Sequence, residues 1–267
     1  MTDLRLDRKK LLAILLASVA ALLVRAWLQL RLQAGGASRE FAADLAYLVV
    51  PVMLLILLSP ILYEDRAFLS RQFRPSAVSR RILLCALLVG VLLRVVAWAK
   101  LVAGVSFGFV RNDNPNAVEG PLFHFECAPL GVVVLGFIVM ALLVPLIEEV
   151  VHRAYVQTYV HRFGPVVAVL ISAMVFAALH RPSSWLFSFI AGLAFGAQYW
   201  LTKSLWPALL SHATVNALIQ VDWRCLRTQW NPPASQLPLW LPGSLSVVTL
   251  LLSLVGIIWL IKKHRGS

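Results

Sequence analysis

The sequence predicts an all-α protein, a polytopic transmembrane helical bundle of about eight spans with the active site inside the bundle. Three observations carry this expectation. Of 267 residues, 60% are hydrophobic and only 13% charged, and the mean hydropathy is +0.81; soluble domains hold about 45–50% apolar residues. Several apolar runs reach the roughly 20 residues that a helix needs to cross hydrocarbon. The basic residues behind the net charge of +12 cluster mostly between those runs, as topology signals do. That placement argues for the bilayer as the partner and against nucleic acid.

Each element can be placed in order. Arg5, Arg8, Lys9 and Lys10 precede an apolar run from Leu11, a pattern like a signal peptide. The run continues past Val24 and further spans follow, so an uncleaved first helix over about 11–33 is expected. A second span covers about 41–62. The connector from Glu64 to Arg81 carries five arginines against two acids. A third span, about 82–103, contains Arg94 and Lys100, which like Arg25 in the first span are expected to snorkel or to line the bundle. After a polar loop over about 105–128, a fourth helix starts near Pro129 and runs to Arg162, where Phe163-Gly164-Pro165 stops it. A fifth span ends at His180-Arg181-Pro182, and the last three cover about 184–202, 205–220 and 243–262. The Pro- and Trp-rich loop 221–242 reads as interfacial.

Eight spans place both termini on one side, together with the 64–81 connector, Arg162, Lys203 and the Lys262-Lys263-His264-Arg265 tail. Asp113, Glu119, Glu126 and Asp222 fall on the other. The positive-inside rule then predicts a multi-pass protein of the cell membrane with cytoplasmic termini. The three cysteines form no Cys-x-x-Cys, so neither a disulfide framework nor a structural zinc site is indicated. Cys127 and Cys225 share the outer face; they are either two free thiols or a disulfide. The chain divides into N-terminal helices with an outer loop (1–128), a core (129–220), and a loop with the last helix (221–267).

The core contains the costliest residues. Glu148 and Glu149 sit inside an apolar run, where one acid costs about 2.5–3.5 kcal/mol, so such residues face a cavity and have a function. As a helix, Glu148 and His152 share one stripe, a proton acceptor beside an imidazole, while Glu149 and Arg153 share another and form a bracing ion pair. His180 closes the fifth span, and His212 and Asn216 lie on one face of the seventh. Glu148 precedes Gly164 by sixteen residues and His180 follows it by sixteen, so antiparallel helices would set both about 24 Å from the turn. His212, eight residues beyond a turn at Ser204, reaches that level only if its turn sits deeper or the Gly164 hairpin projects from the membrane.

A carboxylate in a low-dielectric cavity gains proton affinity and can serve as a general base. With His180, Glu148 could activate water, and His212 with the Asn216 amide could stabilise the oxyanion formed at an amide carbonyl. Ser211 points away from His212, so serine catalysis is not suggested.

At these residues the chain resembles the CPBP family, intramembrane endopeptidases that include CAAX prenyl proteases and bacteriocin-processing relatives. The family pattern is Glu-Glu-x-x-x-Arg, Phe-x-x-x-His and His-x-x-x-Asn or Asp. Here it reads EEVVHR (148–153), FAALH (176–180) and HATVN (212–216). Gly192, Gly196 and the Thr202-Lys203-Ser204 turn also resemble the family's connecting helix. Ala154 departs from the usual Gly, which is expected to alter packing rather than chemistry. The resemblance implies glutamate-type peptide hydrolysis without a cofactor: Glu148 and His180 act on water, His212 and Asn216 hold the oxyanion, and Glu149 and Arg153 support the site. The implied partner is a membrane-anchored or lipid-tailed protein or peptide, cut near its anchored or C-terminal end.

Two alternatives stay open. A zinc-dependent version would use Glu148, His152, His180 and His212 as ligands, although no His-Glu-x-x-His is present and His152 falls at a variable motif position. A non-enzymatic transporter or immunity protein would also bury Glu, His and Arg, but no inverted repeat is visible and every motif residue is present.

Overall fold

A computed structural model describes residues 8–74, 78–107, 129–220 and 243–262. Cys127, Cys225 and most of both outer loops lie outside the described residues. Of the described residues 91% are helical and none is in a strand, so the fold is the expected all-α membrane bundle. The helices are α1 (Arg8–Ala34), α2 (Arg39–Leu57), α3 (Ser59–Glu64), α4 (Arg66–Gln72), α5 (Arg80–Ser106), α6 (Leu130–Phe163), α7 (Pro165–Ala178), α8 (Trp185–Thr202), α9 (Leu205–Gln220) and α10 (Gly243–Lys262). Among the described residues α1, α5, α6 and α10 are long and apolar enough to cross a membrane, and Phe41–Leu57 and α7 are shorter apolar helices.

The chain departs from the sequence expectation after α2. One span to about residue 62 was expected, but the helix ends at Leu57 and restarts as α3. Pro60 has no N–H to continue the ladder, and its ring meets the carbonyl of Ile56; that carbonyl accepts the Ser59 hydroxyl at 2.8 Å. The charged connector is itself partly helical, as α4. Elsewhere the stops are those read from sequence. Gly164 takes φ +100, and Pro165 opens α7, where its missing N–H costs nothing.

α1 packs on α2, α7 on α8, and α5 on both α9 and α10. Two crossings are too close for a side chain. A Cβ at Gly90 would meet Thr214 Cβ at 2.6 Å, and one at Gly192 would meet the Ala173 backbone at 3.0 Å. The core consists of two apolar clusters. One joins α5, α8, α9 and α10 with Phe176; the other joins α1 to α4 with Ile147, Val150, Val151, Ala154 and Tyr155 of α6. The ionisable residues lie between them.

Contacts also group the ends of the helices. Lys10, at the start of α1, pairs with Glu64 and Asp65 at 3.0 and 3.2 Å. The turn between α8 and α9 is tied to the end of α4: Ser204 Oγ donates to the Gln72 carbonyl, and Trp206 Nε1 to the Phe73 carbonyl. Far along α5, Lys100 Nζ donates to the Ser183 carbonyl, beside His180 at the other end.

Candidate active site

α6 carries the paired glutamates on either side of a change in winding. The helix is wound as a π-helix over Phe137–Leu143 and again over Val150–Gln157; such wide turns concentrate at functional sites. In the first, the Val144 N–H reaches the Val139 carbonyl, five residues back. In that register the Met140 carbonyl would be served by residue 145, which is proline and has no N–H. Asn216 Nδ2 of α9 donates to it instead, at 2.8 Å. A sequence-encoded gap in one helix thereby holds the amide of another, with one amide hydrogen still free for the cavity.

Glu149 and Arg153 are the i,i+4 pair expected, with Arg153 Nε donating to Glu149 Oε2 at 3.0 Å. Both are fully buried. The other carboxylate oxygen, Glu149 Oε1, lies 2.8 Å from His212 Nδ1. Arg153 Nη1 donates to Ser172 Oγ at 2.7 Å, and Ser172 donates to the His152 carbonyl at 2.9 Å. One network therefore links α9, α6 and α7. Ionised groups buried at this depth persist only when paired and hydrogen-bonded.

Glu148 is less enclosed than Glu149, and its Oε2 lies 3.7 Å from His212 Nε2. His212 thus stands between two carboxylates, its ring stacked on Phe195 at 4.8 Å. His152 is on the Glu148 stripe, but its Nδ1 bonds the Glu148 main-chain carbonyl at 2.7 Å rather than the carboxylate. The π-winding that begins at Val150 changes the stripe from the one a regular α-helix would give. The rings of His152, His180 and His212 surround Phe176 at centroid distances of 5.1, 4.5 and 5.6 Å.

Glu148, His180, His212 and Asn216 line one cavity of about 120 Å³, room for a few waters. His180 Nδ1 bonds the Phe176 carbonyl at 2.7 Å. A carbonyl only accepts, so Nδ1 carries a proton and Nε2 is the ring nitrogen left for the cavity. His212 lines the cavity although its turn at Ser204 is only eight residues away. Ser211 turns away, its hydroxyl donating to the Ala86 carbonyl at 2.7 Å and lying beside the Gln198 amide. Among the described residues no group of three or more His, Cys, Asp or Glu side chains converges as a metal site.

The motifs alone did not identify Ser172, Phe195 or Tyr47. Ser172 had a signal: it is the one polar residue of α7. Phe195 and Tyr47 had none, since an aromatic on an apolar helix reads as core.

Comparison with curated proteins and with solved structures finds no match. Comparison with family models matches residues 129–218 to the family described as Rce1-like, type II CAAX prenyl endopeptidase Rce1-like. The segment that supplies Glu148, His180, His212 and Asn216 is therefore similar to the type II CAAX prenyl endopeptidases, the family resemblance that the three motifs carry.

Proposed function

We propose that the protein is an intramembrane endopeptidase that hydrolyses a peptide bond near the membrane-anchored or C-terminal end of a protein substrate. The observation that carries this reading is that Glu148, His180, His212 and Asn216 line one cavity within the segment similar to CAAX prenyl endopeptidases. That similarity supports a peptidase acting on prenylated, membrane-associated proteins.

In the proposed reaction a water in the cavity gives a proton to Glu148, helped by the His180 Nε2 lone pair, and attacks the substrate carbonyl. The oxyanion receives hydrogen bonds from His212 and from the free amide hydrogen of Asn216. For His212 to donate through Nε2 it must hold both ring protons, with Nδ1–H on Glu149. The group Glu148, Glu149, Arg153 and His212 then sums to zero charge. Glu149 and Arg153 position His212, much as a carboxylate orients imidazole in a hydrolytic triad. The proton on Glu148 passes to the leaving amine.

The test uses the purified protein in lipid nanodiscs with a fluorogenic farnesylated peptide. Glu148→Gln and His180→Ala should each lower kcat by at least about 100-fold, the usual scale of general-base catalysis, with normal yield and melting temperature. In the native host, the same membrane-anchored proteins should stay uncleaved in both mutants. Full turnover by either variant would end the reading.

We further propose that no metal takes part. Treatment with 1,10-phenanthroline should leave kcat unchanged. Loss of activity restored by added zinc would establish the metal-dependent alternative.

A further inference from the structure

Outside the segment similar to the peptidase family, α1 buries a cation that the proposed hydrolysis does not use. Arg25 is 8% exposed. Its Nη2 donates to Gln29 Oε1 at 2.8 Å, its guanidinium lies 3.9 Å over the Tyr47 ring, and its Nε has no hydrogen-bond partner. No carboxylate pairs with it among the described residues. Asp44, on the same helix as Tyr47, is turned to Gly136 and Gln220.

A guanidinium does not discharge when buried, and a buried charge without a counter-ion is costly. Tyr47 connects this charge to the reaction, because the same side chain lines the cavity with Glu148 and His180. We propose that Arg25 and Gln29, packed against the cavity-lining Tyr47, form an anion subsite beside the cavity, and that it takes the C-terminal carboxylate of the peptide substrate. The planar guanidinium matches a carboxylate in geometry. Its burial on the packed face of α1, with Ala21 and Gln29, favours a ligand that arrives through the cavity over a lipid headgroup.

This inference rests on the hydrolytic reading of the cavity, and its test is made separable from that reading. Binding of a fluorescent farnesylated peptide with a free C-terminal carboxylate is compared with that of its C-terminal amide. The comparison is made in nanodiscs on Glu148→Gln protein, so that no turnover is needed. The carboxylate peptide should bind about tenfold tighter or better, the scale of a charge-assisted pair. Adding Arg25→Gln should abolish the difference by weakening the carboxylate peptide alone, and Arg25→Lys should keep part of it. Unchanged affinity for the amide shows that the variant is folded. If the preference survives Arg25→Gln, if both peptides weaken equally, or if neither binds, the subsite is overturned. It is also overturned if the Arg25 effect follows the phosphatidylglycerol content of the nanodisc instead of the peptide C-terminus. A preserved binding preference, where the wild-type protein cleaves neither peptide, would support the subsite and sink only the hydrolysis.

Discussion

At the scale of single residues, the chain places its chemistry by making one group depend on another. Pro145 opens the ladder of α6, the Met140 carbonyl is left without a main-chain donor, and Asn216 supplies one at 2.8 Å. Pro145→Ala should restore an N–H at that position and compete for the carbonyl. The expected outcome is an unchanged or higher melting temperature, because an interior helical proline costs about 3 kcal/mol, together with a fall in kcat of about tenfold as the amide loses its anchor. A kcat equal to wild type would show that the Met140 bond does not orient Asn216. Glu149 and Arg153 were paired correctly from spacing alone. That Glu149 also holds His212, which lies 63 positions away, could not be read from spacing, since no local rule relates them.

At the scale of elements, close approach decides which helices meet. α5 touches α9 at Gly90, where a Cβ would fall 2.6 Å from Thr214 Cβ and 2.7 Å from the Ser211 carbonyl. Both lie within two residues of His212. Gly90→Val should therefore move α9 as well as strain the bundle. The expected loss is about 1–3 kcal/mol, the usual cost of overpacking, with a fall in activity larger than the loss of folded protein explains. Thermal unfolding in detergent beside peptide hydrolysis measures both. The stop after α2 and the turn at Gly164 follow from proline and glycine chemistry. The two π-helical stretches do not, since hydrophobic periodicity is nearly the same for both windings over one turn.

At the scale of the whole molecule, two opposite ends are defined by contacts that agree with the arrangement of charges. Lys10 with Glu64 and Asp65, and Ser204 with Gln72, belong to one end; Lys100 with Ser183 belongs to the other. We propose that the first end is cytoplasmic. With the three native cysteines replaced by serine, Tyr63→Cys and Phe163→Cys, both at exposed positions, should react with a membrane-impermeant maleimide from the cytoplasmic face only. Trp185→Cys should react from the opposite face. Any reversal of these labels would overturn the topology.

Sequence alone determined the fold class, the order and most of the bounds of eight apolar helices, and the identity of the ionisable residues inside them. These depend on local quantities: the length of an apolar run, the cost of a charge in hydrocarbon, and the backbone limits of proline and glycine. Tertiary structure decided which carboxylate holds which histidine, that Tyr47 of α2 lines the cavity, and that Arg25 of α1 packs on its ring. Those relations join residues tens to hundreds of positions apart. They are set by how closely helices can approach and by which buried polar groups must find a partner, and both depend on all the helices together.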